Sequence, residues 1–472
     1  MISRLPEARE SARAALIIRE RLGDPDGIAA AHDRQAIVDY YSARRRDAEE
    51  QADLAVHAGA GTRAAVSAEA TRAYLAYRRQ DLSSARAIAA VAWKMAEAAP
   101  ERETDAARRR LAITEAASDL VEGTTSSRAQ LLVQASAAMQ VSLDEIGTTA
   151  YSNLSAIDIE NRRLPEAEAV LAASIPLTIE RDIPICRQWQ TGMRARLHFL
   201  RGRWTASGED AETVIAEHGA PLALIWPHVL SALLTLRRGG DPGLVDRHLD
   251  LAWTHARELD ESPLLLAVLA AYAERAWHTG ERHPLLADAP VQVARAAAVP
   301  GNAWAIGDLL VWLRRIGVAL DAPQVAEPHR LELDGRHEEA SARWLRLGTP
   351  YDSAMAGLHA ARADAAVAAL ANLQQLDVEG TAARARAMVA DRGIRSLPAQ
   401  PRRTTRANPA GLTNRQLDVA RLVAQGLTNA ELAERLYISP KTADHHVSAV
   451  LSKLGLSSRR EVARSASEFG LV

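Results

Sequence analysis

Between Pro440 and Leu454, six side chains able to exchange hydrogen bonds, Lys441, Thr442, Asp444, His445, Ser448 and Ser452, share one side of a helical wheel. Ala443, Val447, Val450, Leu451 and Leu454 fall on the other at helical spacing. The polar set suits a nucleic-acid duplex. Lys441 and Thr442 fit phosphates, as does Lys453; Asp444 can accept from a cytosine amino group, His445 can donate to guanine, and Ser448 is compatible with several bases. Asp444 has a second reading, in which it repels phosphate and excludes wrong sites. His446, on the inner flank, reads as core.

The elements that must position these residues announce their starts. Thr413 with Gln416, Thr428 with Glu431 and Ser458 with Glu461 have the spacing of capping boxes, in which a hydroxyl and a carboxylate or amide satisfy the free N–H groups of a first helical turn. Ser439 before Pro440 predicts another start. Leu432, Ala433 and Leu436 form an apolar stripe upstream, and Tyr437 to Ser439 leaves room only for a tight turn. Two helices so joined make a helix-turn-helix, whose second member enters the major groove with its N-terminal half against the base edges. Thr428 and Asn429 begin the upstream helix, and for Thr428 capping alone is one reading.

These residues resemble a LuxR-type DNA-binding domain over Leu412 to Gln416, Gly426 to Leu436, Ile438 to Val447 and Lys453 to Leu456, without gaps. Gln416, Ala420 and Ala443 stand where that family favours glutamate, leucine and valine. The glutamine keeps a capping group, while each alanine removes apolar volume, roughly 1 kcal/mol or more. The resemblance implies a four-helix domain at 411–472, double-stranded DNA as partner, a phosphate against the helix N-terminus at Thr428 and Asn429, and a homodimer on inverted half-sites. It also implies that the fourth helix, from Ser458 to about Phe469, pairs two domains with Val462 and Ala466 at the contact.

The rest of the chain has a different character. Residues 401–472 hold eleven Lys or Arg against six Asp or Glu, so with a net charge of −2 overall the first 400 residues carry −7. A basic module on an acidic body fits nucleic-acid binding by one part only. With 48% hydrophobic and 4% aromatic residues, and with alanine and leucine abundant, the composition favours an all-α fold. Helix ends followed by a turn and an early alanine recur at Gln80 to Ala85, Arg162 to Ala167, Gly202 to Ala206 and Gly335 to Ala340, with weaker turns near Gly123, Gly240 and Gly280. A period near forty residues predicts an α-solenoid of degenerate tetratricopeptide-like repeats over 1–392, each pair of helices contacting its neighbours. The nine tryptophans serve either as packing between helices or as the lining of a ligand groove. Residues 393–410, with three prolines, read as a basic linker whose Arg402, Arg403 and Arg406 either touch phosphates or are simply solvated.

Several classes of function find no support. None of the three lysines follows a glycine-rich turn, so no phosphate-binding P-loop exists; Cys186 alone cannot build a disulfide or a thiolate zinc cage, and the histidine spacings fit no metal. We therefore expect no enzyme, no cofactor and no metal. No apolar run is long enough to span a bilayer, which leads to the expectation of a cytoplasmic protein. The helical part and linker resemble the C-terminal half of the large ATP-binding LuxR-type regulators, notably at Arg194 to Trp204 and Thr405 to Thr413, with the ATPase half absent or encoded elsewhere. The sequence thus leads to a transcription regulator whose repeat region binds a protein or small effector or mediates oligomerisation. The competing reading is a scaffold that works through its repeats alone.

Overall fold

A computed structural model describes residues 5–394, 410, 412, 414–436, 438–454, 456, 458–467 and 469–471. Among these the secondary structure is helical throughout. The array opens with α1 (Leu5–Leu22), α2 (Pro25–Tyr41), α3 (Arg45–Ala58), α4 (Ala64–Arg78), α5 (Leu82–Glu97), α6 (Glu101–Val121) and α7 (Ser127–Gln140). It continues through α8 (Asp144–Glu160), α9 (Leu164–Glu180), α10 (Pro184–Leu200), α11 (Trp204–Ala216), α12 (Pro221–Arg238), α13 (Pro242–Leu259) and α14 (Ser262–Thr279). Shorter helices follow: α15 (Ala289–Ala296), α16 (Ala303–Arg315), α17 (Glu327–Leu333), α18 (His337–Arg346), α19 (Pro350–Gly357), α20 (Ala363–Gln375) and α21 (Glu379–Asp391). The C-terminal four are α22 (Asn414–Ala424), α23 (Asn429–Leu436), α24 (Pro440–Leu454) and α25 (Arg459–Arg464).

The chain forms two compact units, Met1–Ala369 and Leu370–Val472. The division falls inside α20, upstream of the linker expected at 393–410. Residues 395–409, with Arg402, Arg403 and Arg406, lie outside the described residues, as does Thr413.

Helices of the first unit pack pairwise, as a repeat array does, and the turns fall where the sequence places them. Gln80, Gly123, Arg162, Gly202, Gly239, Gly280 and Gly335 all take positive φ, the left-handed conformation that ends a helix and reverses the chain. A second series, Ser142, Asp182, His218 and Asp260, does the same without glycine. These close the alternate helices of each pair.

One expectation fails. Contacts in the array are not confined to neighbours: Gln80 and Asn302 exchange a pair of amide hydrogen bonds at 2.9 and 2.8 Å. Tyr40 donates to Glu261 at 2.8 Å, and Arg78 pairs with the same carboxylate at 2.7 Å. The array therefore curves tightly enough to bring its early and late helices together, through these polar pairs and through an apolar cluster in which Leu5 and Val38 meet Val214, Ala220 and Ala223.

Its interior buries charge. Arg237 forks onto Glu274 at 2.7 and 2.9 Å, and Tyr351 donates to Glu274 at 2.9 Å. Arg162 forks onto Asp308 at 2.9 and 2.7 Å, with the His329 ring 2.8 Å from that same carboxylate. Arg237 lies 3.6 Å over the Tyr351 ring and Arg196 3.7 Å over Trp226. Planar guanidinium groups suit such buried forks and ring stacks, where they are both charge and filler. Trp204, Trp253, Trp277 and Trp344 are buried as packing, whereas Trp189, Trp226 and Trp312 also line clefts. Cys186 is buried and unpaired, its thiol pushed up by burial.

Candidate nucleic-acid interface

The interface is built on a small apolar core. Leu412, Leu417, Val419, Ala420 and Val423 from the first segment meet Leu432 and Ala433 of α23 and Ala443, Val447, Val450 and Leu454 of α24. Leu436 and Leu451 pack at its margin, so the two predicted stripes are the faces that bury. Gly426 turns the chain between α22 and α23 at φ +90°, a conformation that other residues adopt with strain.

The caps are built as the spacing requires. Thr428 N–H donates to Glu431 Oε2 at 2.7 Å, and Glu431 N–H donates back to Thr428 Oγ1 at 3.3 Å. The first of these bonds holds the Glu431 carboxyl below its ordinary range. Ser439 accepts from Thr442 N–H at 3.1 Å, which starts α24 at Pro440. Ser458 accepts from Glu461 N–H at the start of α25.

Of the residues expected to touch DNA, Lys441, His445 and Ser448 are exposed together on α24, opposite its buried stripe. The others are exposed or half-buried but engaged within the protein. Thr442 shares a hydroxyl contact of 2.8 Å with Ser439, and Thr428 donates its hydroxyl to Glu431 at 2.8 Å. Lys453 donates to Gln416 at 2.9 Å. Asn429 donates to Asp444 Oδ1 at 2.9 Å and accepts from Arg459 at 2.8 Å, while Arg459 also reaches the Leu427 carbonyl. One amide thus joins the start of α23 to the face of α24 and the start of α25. Arg459 was missed in the sequence, where only the capping pair beside it, Ser458 and Glu461, gave a signal.

The fourth helix is shorter than expected. The α25 helix ends at Arg464 instead of running to Phe469, because the chain turns there and Leu471 returns to the core. Val462 and Ala466 are 0% and 5% exposed and belong to the domain's own core. Exposed on this helix are Arg460, Ala463 and Arg464. Among the described residues no group of side chains is arranged to hold a metal ion, and no helix is long and apolar enough to cross a membrane.

Comparison with known proteins agrees with this geometry. The family of bacterial regulatory proteins named luxR matches residues 410–466. An HTH-type transcriptional regulator of Mycobacterium bovis is 42% identical over 76 residues, which cover 15% of this chain and 9% of that protein. The transcriptional regulatory protein LiaR of Bacillus subtilis is 44% identical over 52 residues, 11% of this chain and 25% of its own length. The oxygen regulatory protein NreC of Staphylococcus aureus is 41% identical over 51 residues, 11% of this chain and 24% of its own. The chain thus spans a quarter or less of the length of these relatives, and the likeness stays within the C-terminal region. Residues 410–466 are a LuxR-family helix-turn-helix domain.

Proposed function

We propose that this protein is a sequence-specific, DNA-binding transcription regulator in which the helical array senses an effector. The observation that carries the reading is the exposed trio Lys441, His445 and Ser448 on the outer face of α24, held over a core that fixes the helix. His445 and Ser448 read base edges in the major groove, and Lys441, with Thr442 at the start of α24, meets phosphate. The N-terminus of α23 at Thr428 and Asn429 faces a second phosphate through its N–H groups. Asp444, tied to Asn429, has one carboxylate oxygen left for a cytosine amino group or for rejecting misplaced phosphates. Lys453, whose ammonium has donors beyond the one on Gln416, adds a phosphate contact.

Two copies bind inverted half-sites as a homodimer, and any pairing through α25 uses Arg460, Ala463 and Arg464. The array takes a small effector or a protein partner, and the protein works in the cytoplasm without catalysing a reaction. The test is selection of bound fragments from a random DNA pool at moderate salt, followed by sequencing. A recurrent two-fold motif is the expected result. Binding that is sequence-blind, or no binding at all, would leave the array as the working part.

A further inference from the structure

Two adjoining, half-open clefts in the array, with about 100 and 80 Å³ of room for water-sized groups, share Glu160, Arg196, Trp226 and Pro263. The second cleft lies among α8, α10, α12, α14, α16 and α19, and its charges decide what it can hold. Three guanidinium groups reach it, and each already has a carboxylate: Arg196 pairs with Glu160 at 2.7 Å, Arg162 with Asp308, and Arg237 with Glu274. An anionic occupant would have to break one of these buried pairs, which leaves a carboxylate stranded at a cost of several kcal/mol.

Asp352 is the fourth carboxylate of this cleft, and it makes no hydrogen bond or ion pair among the described residues. Glu160 adds a buried oxygen, Oε1, that likewise lacks a partner. Asp352 therefore brings an acceptor and a negative charge, which Arg162 and Arg237 offset only in part, to a space walled elsewhere by Val229, Leu233, Ala267 and Ala270. The rings nearby have a face covered by arginine, Trp226 by Arg196 and Phe199 by Arg237. Apolar contact in this cleft thus comes mainly from the aliphatic wall.

We propose that this cleft binds a small organic monocation, an amine whose ammonium pairs with Asp352 while its apolar body lies along Val229, Leu233 and Ala267. This rests on the reading of the array as an effector sensor and names the chemistry of the effector. Burial raises the Asp352 carboxyl to about 6, with Arg162 opposing and Asp308 reinforcing the rise. Arg237 and Glu332 act on it as well. Arg196, Glu160 and Glu274 share the lining, and His329 sits behind Asp308.

The experiment is calorimetric titration of the full chain, without DNA, with n-hexylamine and 2-phenylethylamine. Their alcohols, n-hexanol and 2-phenylethanol, and the anion 3-phenylpropionate serve as matched probes. At pH 8 the amines should bind at least tenfold more tightly than alcohols or anion. At pH 5, with Asp352 largely protonated, their affinity should fall about tenfold. Asp352→Asn should abolish the preference for amine over alcohol, with helicity by circular dichroism unchanged, and Asp352→Glu should keep part of it. Ala267→Phe, which leaves the carboxylate in place, should remove binding by filling the cleft. Equal binding of amine and alcohol, tighter binding of the anion, no binding of either amine, or full amine binding by Asp352→Asn would each overturn the proposal. Because no DNA is present, failure here is separable from failure of the DNA-binding reading, which the fragment selection tests.

Discussion

The two units of this chain handle charge in opposite ways. The array turns arginines inward, onto carboxylates and aromatic rings, whereas the helix-turn-helix domain, among its described residues, buries only apolar side chains and keeps its charges at or near the surface. A buried pair such as Arg237 with Glu274 adds little stability over an apolar pair of the same shape, yet it tolerates only one arrangement. Exposed side chains such as Lys441 and His445 are free to meet something else. One unit uses charge to define its interior, the other to present a surface.

The contrast is open to attack by mutation and by pH. The largest expected effect is from Glu274→Ala, which strands the Arg237 guanidinium in the interior; denaturant unfolding should report a loss of about 3–5 kcal/mol from the array. The double replacement Arg237→Met with Glu274→Leu should restore much of it. If the single variant costs under about 1 kcal/mol, the interior charges are not what define the array.

Acid should come next. His228 and His248 face each other through Nδ1 atoms 2.9 Å apart, and burial, with help from the neighbouring His248 and His255, lowers His228 to about 4. A histidine depressed in the folded state is neutral there while the unfolded chain binds protons, so stability is full above about 6.5 and falls between 6.5 and 4. Roughly 2–3 kcal/mol should be lost from the array over that window, and His228→Gln should flatten the profile. Melting curves at stepped pH measure both.

Within the C-terminal domain, Val462→Ala should cost about 2 kcal/mol, seen as faster hydrogen exchange over residues 412–471 with the association state unchanged. A shift in association with normal exchange would return Val462 to an interface. Asn429→Ala, which unties Asp444 and Arg459, should cost about 1 kcal/mol of domain stability and weaken DNA binding. Lys441→Ala should lower affinity on all sequences alike and reduce the slope of binding against salt by about 1, whereas His445→Ala should alter which operator positions matter.

The sequence made some of this readable and hid the rest, for physical reasons. Capping geometry is local, so Thr428 with Glu431 and Ser439 before Pro440 located the helix starts. Glycine announces a left-handed turn, which is why Gly123, Gly202 and Gly280 stood out, while His218 and Asp182 adopt the same conformation silently. For Val462 and Ala466 the family resemblance implies a face buried at a contact between two copies. Here it is buried in the same domain. The Arg459–Asn429–Asp444 tie joins three elements by contacts up to 30 residues apart, and the Gln80 to Asn302 pair spans 222. No local pattern carries such distances.

That amide pair also bears on how the array comes apart. A linear stack of repeats can fray from either end, losing one helix pair at a time while the remainder stays folded. An array clasped across more than two hundred residues lacks that freedom, since release of the clasp exposes Glu261 and Arg78 together with the helices that carry them. Its opening should be abrupt and its folding slow, because a loop of that length must close before the clasp forms. Unfolding of the array should then register as one transition, rather than as the loss of one helix pair at a time.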